Sequence, residues 1–251
     1  MFDLTGKTAV ITGGGSGIGK ETALLFAKQG AEVCIIDLNA TDAVTEIQQA
    51  GGKASAHACD VSNQQQVHQV IEQIGKVDIL VNNAGIAHIG KADTTSEADF
   101  EKVFNVNVKG AYNCLHAILP LMVKQGGGVV LNVSSIAAVV GITDRFAYSM
   151  SKGAIQAMTF SVARDYIDAN IRCNCICPAR VYTPFVENFV AKNYPGKEKE
   201  MFDKLSKSQP IGRMGTTAEI ATLILYLCSD EASFITGCDY PIDGGFIKLN
   251  N

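Results

Sequence analysis

The segment Thr12-Gly13-Gly14-Gly15-Ser16-Gly17-Ile18-Gly19 joins a short apolar run to a stretch of helical period. Its glycines permit a tight turn and close approach of an anion to the backbone. A helix opening at Gly17 offers that anion free N–H groups and the positive end of its dipole. This context suits a dinucleotide pyrophosphate, held by Gly13, Ser16, Gly17, Ile18 and Gly19. Asp37 ends the next apolar run, 18 residues after Gly19. A carboxylate there accepts hydrogen bonds from both adenosine ribose hydroxyls and repels a 2′-phosphate. No Arg or Lys stands at Ser16, Leu38 or Asn39 to balance such a phosphate. The expected cofactor is NAD rather than NADP, with Leu38 beside its ribose.

Positioning these groups requires a particular alternation of elements. Short β-rich runs occur at 8–12, 32–37, 54–59, 77–81, 128–133, 171–177 and 238–242. Between them lie stretches of helical period at 17–30, 41–51, 63–74, 96–125, 148–170 and 216–229. Strand–helix alternation of this length predicts βαβ units on a parallel sheet covered on both faces. The expected fold is α/β, a Rossmann-type sheet of seven strands within one domain over 1–251. Residues 184–210 break the rhythm after the sixth strand. They carry Phe185, Phe189, Tyr194 and Phe202 among many charges, as expected of a substrate lid.

Composition narrows the function classes. The apolar fraction of 47% and charged fraction of 18% argue against disorder. With a net charge of −4 and no long basic run, nucleic acid is not an expected partner. No uncharged apolar stretch is long enough for a membrane span. The N-terminus lacks the basic and apolar regions of a secretory signal, so a cytoplasmic setting is expected. The eight cysteines show neither CxxC pairs nor nearby His, so buried reduced thiols are expected and no metal.

Three motifs, Thr12 to Gly19, Asn82-Asn83-Ala84-Gly85 and Tyr148-Ser149-Met150-Ser151-Lys152, together resemble the short-chain dehydrogenase/reductase family. Asp60-Val61, Asn105-Val106-Asn107 and Asp243-Gly244-Gly245 extend the resemblance over essentially the whole chain. It implies a catalytic set of Asn107, Ser135, Tyr148 and Lys152. Tyr148 would act as general acid/base. Lys152, four residues on and sharing its helix face, would lower the tyrosine's pKa and hold the nicotinamide ribose. Ser135 would bond the reacting oxygen, and Asn107 a water beside Lys152; Ser134 and Asn105 are the neighbouring rivals. On the cofactor side the resemblance implies contacts from Asp60, Val61, Asn83, Ala84, Gly85, Pro178, Val181 and Thr183. Ala179 stands where the family usually has glycine.

Arg145 lies three residues before Tyr148, and Arg180 follows the sixth strand. Neither is needed for hydride transfer, and a guanidinium fork suits a carboxylate. With His88, Ser135 and Tyr148 they form the expected substrate set. The run from Asn170 to Arg180, with Thr143 to Tyr148, resembles members acting on small polar hydroxy acids, sugar acids and deoxysugars. The expected substrate is therefore a sugar-derived acid or deoxysugar. A 3-oxoacyl-carrier-protein reductase, a 3-hydroxybutyrate-like dehydrogenase and an NAD-binding sensor are the alternatives. The long helical stretches and the apolar tail Gly245 to Leu249 lead to an expected homotetramer.

Overall fold

In the computed structural model, which describes residues 1–249 but not the side chains of Phe185 and Asn193, seven parallel strands form one sheet. They are β1 Thr8–Thr12, β2 Glu32–Asp37, β3 Lys53–Ala58, β4 Ile79–Asn82, β5 Gly128–Val133, β6 Ile171–Pro178 and β7 Asp239–Ile242. The order is β3-β2-β1-β4-β5-β6-β7. The chain runs outward from β1 to β3, then returns to place β4 on the other side of β1. That reversal leaves a crevice beyond the C-terminal ends of β1 and β4, where α/β sheets bind ligands.

Strand parity builds two cores. Ala9, Ile11, Val33 and Ile35 pack on one face, under α1 (Gly17–Lys28), α2 (Thr41–Gln49) and α9 (Thr217–Cys228), with Phe26, Ile47 and Ile224 among the helix contributions. Val10, Cys34 and Ile36 pack on the other, under α3 (Gln64–Ile74), α5 (Gly110–Gln125) and α6 (Phe146–Asp165). Each such Ile or Phe contributes about 1.5–3 kcal/mol on burial. Because both faces are covered, the strands read as continuous apolar runs.

Several boundaries differ from the sequence expectation. Gly30, at φ +91°, lies beyond the end of α1 at Lys28, in a conformation glycine tolerates. The stretch 96–125 is not one regular helix: α4 (Glu97–Val103) passes through a π-helical segment, Phe104–Lys109, before α5. The 148–170 stretch begins at Phe146 and ends in a separate short turn, Ile167–Ala169. Residues 184–210 contain α7 (Pro184–Asn193) and α8 (Glu198–Lys207), and α10 (Phe246–Leu249) lies in the C-terminal segment.

Candidate active site

The glycine loop leaves β1 and is braced from β4. Asn83 Nδ2 donates to the carbonyls of Thr12 and Gly13, both at 3.0 Å. The Asn83 and Ala84 N–H groups donate to Thr12 Oγ1 at 3.0 and 3.1 Å. A Cβ on Gly13 would stand 2.8 Å from Ala84 Cα, so only glycine lets the two loops meet. Ser16 is the N-cap of α1 but makes no side-chain capping bond. The first N–H groups of that helix therefore face the crevice without a cap, which fits a pyrophosphate. Thr183 closes the front, its Cγ2 3.6 Å from where a Gly17 Cβ would be.

Asp37 Oδ2 accepts the Gly15 N–H at 2.9 Å and Oδ1 accepts that of Asn39 at 3.2 Å. A Cβ on Gly15 would crowd this carboxylate at 3.0 Å. Leu38 stands exposed beside it, and Lys20 in α1 is engaged by Glu46 at 2.6 Å. Asp60 spends Oδ1 on the N–H and hydroxyl of Ser62, at 2.9 and 2.8 Å. Val61 is clamped by α5: Asn113 Nδ2 donates to its carbonyl at 2.8 Å, and a Gly110 Cβ would collide with its side chain at 2.7 Å. These residues fit the adenosine half of a nicotinamide dinucleotide.

At the other end, α6 carries Tyr148 and Lys152. Lys152 Nζ is buried and donates to the Val133 carbonyl at 2.8 Å. Burial pulls its pKa from 10.5 to about 8. The ammonium lies 5.8 Å from the centroid of the Tyr148 ring. Desolvation pushes Tyr148 above the usual tyrosine range; the Ser135 hydrogen bond opposes that most, followed by the charges of Arg180 and Arg145. The downward pull on the phenol here thus comes from Ser135 and the two arginines.

Ser134 and Ser135 separate by partner. Ser134 Oγ donates to the Lys152 carbonyl at 2.9 Å and ties α6 to β5. Ser135 is the serine that bears on Tyr148, its Oγ also accepting the Ala137 N–H at 3.2 Å. Asn107 lies in the π-helical segment, a feature frequent at functional sites. Its Oδ1 accepts the Ile86 N–H at 2.8 Å, and its Nδ2 donates to the Ile86 carbonyl and Ser151 Oγ, both at 2.9 Å. Ser151 in turn donates to the Tyr148 carbonyl at 2.7 Å. Sequence reasoning missed Ser151, although its place between Tyr148 and Lys152 on one helix was a usable signal. A Cβ on Gly85 would be 3.3 Å from Asn107 Oδ1 and 3.5 Å from Lys152 Nζ, so both groups flank that glycine.

The two arginines act on the same tyrosine from separate elements. Arg145 Nη1 donates to the Asp144 carbonyl at 2.8 Å, from a left-handed Asp144 at φ +57°. Its guanidinium stacks on Phe189 of α7, 5.4 Å from the ring centroid. Burial and the nearby Arg145 both lower the Arg180 pKa, and its buried Nε has no hydrogen-bond partner among the described residues. His88 Nδ1 lies 3.9 Å from Asp99 Oδ1; its buried Nε2 has no hydrogen-bond partner among the described residues and would be 2.8 Å from a Cβ on Gly90, which is bridged to Arg145. Pro178 accepts Ser135 Oγ at a long 3.5 Å, and Val181 is buried. Ala179 follows without a positive φ, so the missing glycine costs no strain here. All eight cysteines are free thiols, seven of them buried. No group of three or more His, Cys, Asp or Glu among the described residues is placed to hold a metal.

This geometry has clear relatives. The family model for enoyl-(acyl carrier protein) reductase matches residues 13–247. An uncharacterized oxidoreductase of Thermotoga maritima is 43% identical, the match covering 97% of this chain and 98% of that one. A 2-keto-3-deoxy-L-fuconate dehydrogenase of Xanthomonas campestris is 35% identical over 97% of this chain and 81% of its own. The structure of L-sorbose reductase from Gluconobacter frateurii, complexed with NADPH and L-sorbose, superposes with a TM-score of 0.93 at 30% identity, covering 99% of both chains. The chain belongs to the short-chain dehydrogenase/reductase family and is an oxidoreductase whose fold binds a nicotinamide cofactor. No helix among the described residues is long and apolar enough to cross a membrane.

Proposed function

We propose that the protein moves a hydride between NAD and a secondary alcohol of a sugar-derived acid or deoxysugar. One observation carries the substrate half of this reading: a buried, unpartnered Arg180 Nε beside Tyr148, with a second guanidinium close by. A buried guanidinium N–H without an acceptor is costly, and a carboxylate supplies the acceptor it lacks. The relative that acts on 2-keto-3-deoxy-L-fuconate agrees with an acid of this kind.

When bound, the nicotinamide ring supplies the hydride acceptor or donor. Tyr148 takes or returns the hydroxyl proton at its phenolic oxygen. Ser135 donates to the reacting oxygen and orients it. Lys152 holds the ribose, and Asn107 fixes the loop after β4 at Ile86 and the α6 turn at Ser151. The loop from Gly13 to Gly19 would hold the pyrophosphate, and Asp37 the adenosine ribose. Asp60, Val61, Asn83, Ala84 and Gly85 line the adenosine side, and Pro178, Val181 and Thr183 the nicotinamide side. The 184–210 segment serves as the lid, with Phe189 resting on Arg145. His88, beside the Gly90 bridge to Arg145, belongs to the substrate side.

The test is NADH formation, by absorbance, across sugar acids and matched neutral sugars. An acid is expected to give the highest kcat/KM. A panel in which only acyl thioesters turn over, with NADP, would support the acyl-carrier-protein reductase reading instead.

The protein is further proposed to be a homotetramer. Tyr112 and Val123 on α5, Phe160 on α6 and Phe234 and Leu249 near the C-terminus are large apolar groups left exposed, Phe234 completely. Light scattering at micromolar concentration is expected to give four times the chain mass; a monomer would refute it.

A further inference from the structure

Gln209 is a polar side chain only 3% exposed, in the segment that leaves the lid. Neither of its amide atoms is idle. Oε1 accepts the Arg180 N–H at 3.0 Å, and Nε2 donates to the Arg213 carbonyl at 2.6 Å. The same turn holds the other side of the Arg180 peptide: the Gly215 N–H donates to the Arg180 carbonyl at 2.9 Å, and the Tyr182 N–H donates to the Gly215 carbonyl at 2.8 Å. The turn is anchored in turn. The Gly212 N–H donates to the Gln209 carbonyl at 2.7 Å, and the Ile211 N–H to that of Gly244 at 3.1 Å. A Cβ on Gly244 would meet Ile211 at 2.6 Å, so the C-terminal segment presses closely on it.

Arg180 needs such a hold. Its Nε is buried without a partner, and Arg145 repels it. A half-buried guanidinium whose Nε lacks a partner and which faces a second cation takes its direction in part from its backbone. Gly215 fixes the carbonyl of that residue, and Gln209 fixes its N–H. Arg180 also lies two residues beyond the end of β6.

We infer that Gln209 is a positioning residue that sets the substrate-reading direction of Arg180 and links it to the C-terminal end of the lid. This rests on the reading above, in which Arg180 meets a carboxylate. Gln209 does not touch the reacting atoms; it acts through the Arg180 backbone.

The test uses malonate, a non-reacting carboxylate, titrated calorimetrically into the NAD-saturated protein. Gln209→Met keeps the side-chain length and removes both hydrogen bonds. It is expected to weaken malonate about tenfold, as loss of a buried hydrogen bond near a charge does, with NAD affinity unchanged. Arg180→Met is expected to weaken malonate at least as much. In the double variant, Gln209→Met adds nothing further, because its effect passes through Arg180. Additive losses would overturn the proposal, as would a Gln209→Met protein that binds malonate like the wild type. Should Gln209→Met not fold, Gln209→Leu takes its place in the cycle. Loss of NAD binding in both variants would assign the amide to the fold alone and overturn the role as well. Failure of the carboxylate reading shows separately: Arg180→Met would then leave malonate binding unchanged, or the wild type would not bind it.

Discussion

Replacing Tyr148 by Phe is expected to lower kcat about a thousandfold while NAD still binds, the scale on which a positioned general acid/base contributes. The hydroxyl is the only group removed, and Lys152, Asn107 and Ser134 keep their partners on Val133, Ile86 and the α6 backbone. The Ser151 bond to the Tyr148 carbonyl is also untouched, since it uses the main chain. The loss should therefore fall on the chemical step rather than on the fold. Steady-state kinetics with a fluorescence titration of NAD separates the two. A Tyr148→Phe protein retaining a tenth of wild-type kcat would assign proton transfer elsewhere.

The second large effect is in cofactor choice. Kinetics with both dinucleotides should favour NAD over NADP by about a hundredfold in kcat/KM, corresponding to roughly 3 kcal/mol for setting a phosphate against an unbalanced carboxylate. Asp37 is held toward the loop by the Gly15 and Asn39 N–H groups, so it cannot swing away without losing both. Leu38 offers no charge, and Lys20 is occupied by Glu46. Asp37→Ser should erase most of the preference by admitting NADP, with little change for the catalytic residues at the far end of the crevice. Equal kcat/KM for the two cofactors in the wild type would contradict this account of Asp37.

Much of this was legible in the chain, and for identifiable reasons. Parallel strands buried on both faces appear as short apolar runs, so β1, β2, β5 and β6 fall within a residue or so of their expected limits. The glycine loop is legible because its function and its tight packing on Ala84 and Asn83 demand the same residue type. The π-helical segment was not legible. Its apolar spacing differs little from that of an α-helix, and the extra residue is accommodated by Asn107 bonding across to Ile86 and Ser151. The choice between Ser134 and Ser135 likewise rests on tertiary partners. The hold of Gln209 on Arg180 joins residues 29 apart through a side chain that sequence alone reads as an ordinary surface amide.

In the proposed function, two arginines beside Tyr148 read a carboxylate on the alcohol being oxidised. The most direct measurement compares kcat/KM for 2-keto-3-deoxy-L-fuconate and for neutral L-fucose, with NAD, in the wild type and in Arg145→Ala. Truncating the arginine partner of a bound carboxylate costs about 2–5 kcal/mol, so the acid should lose at least thirtyfold and the neutral sugar little. A ratio of the two kcat/KM values that is the same in wild type and Arg145→Ala would contradict the carboxylate reading and leave Arg145 as a structural support for Asp144 and Phe189.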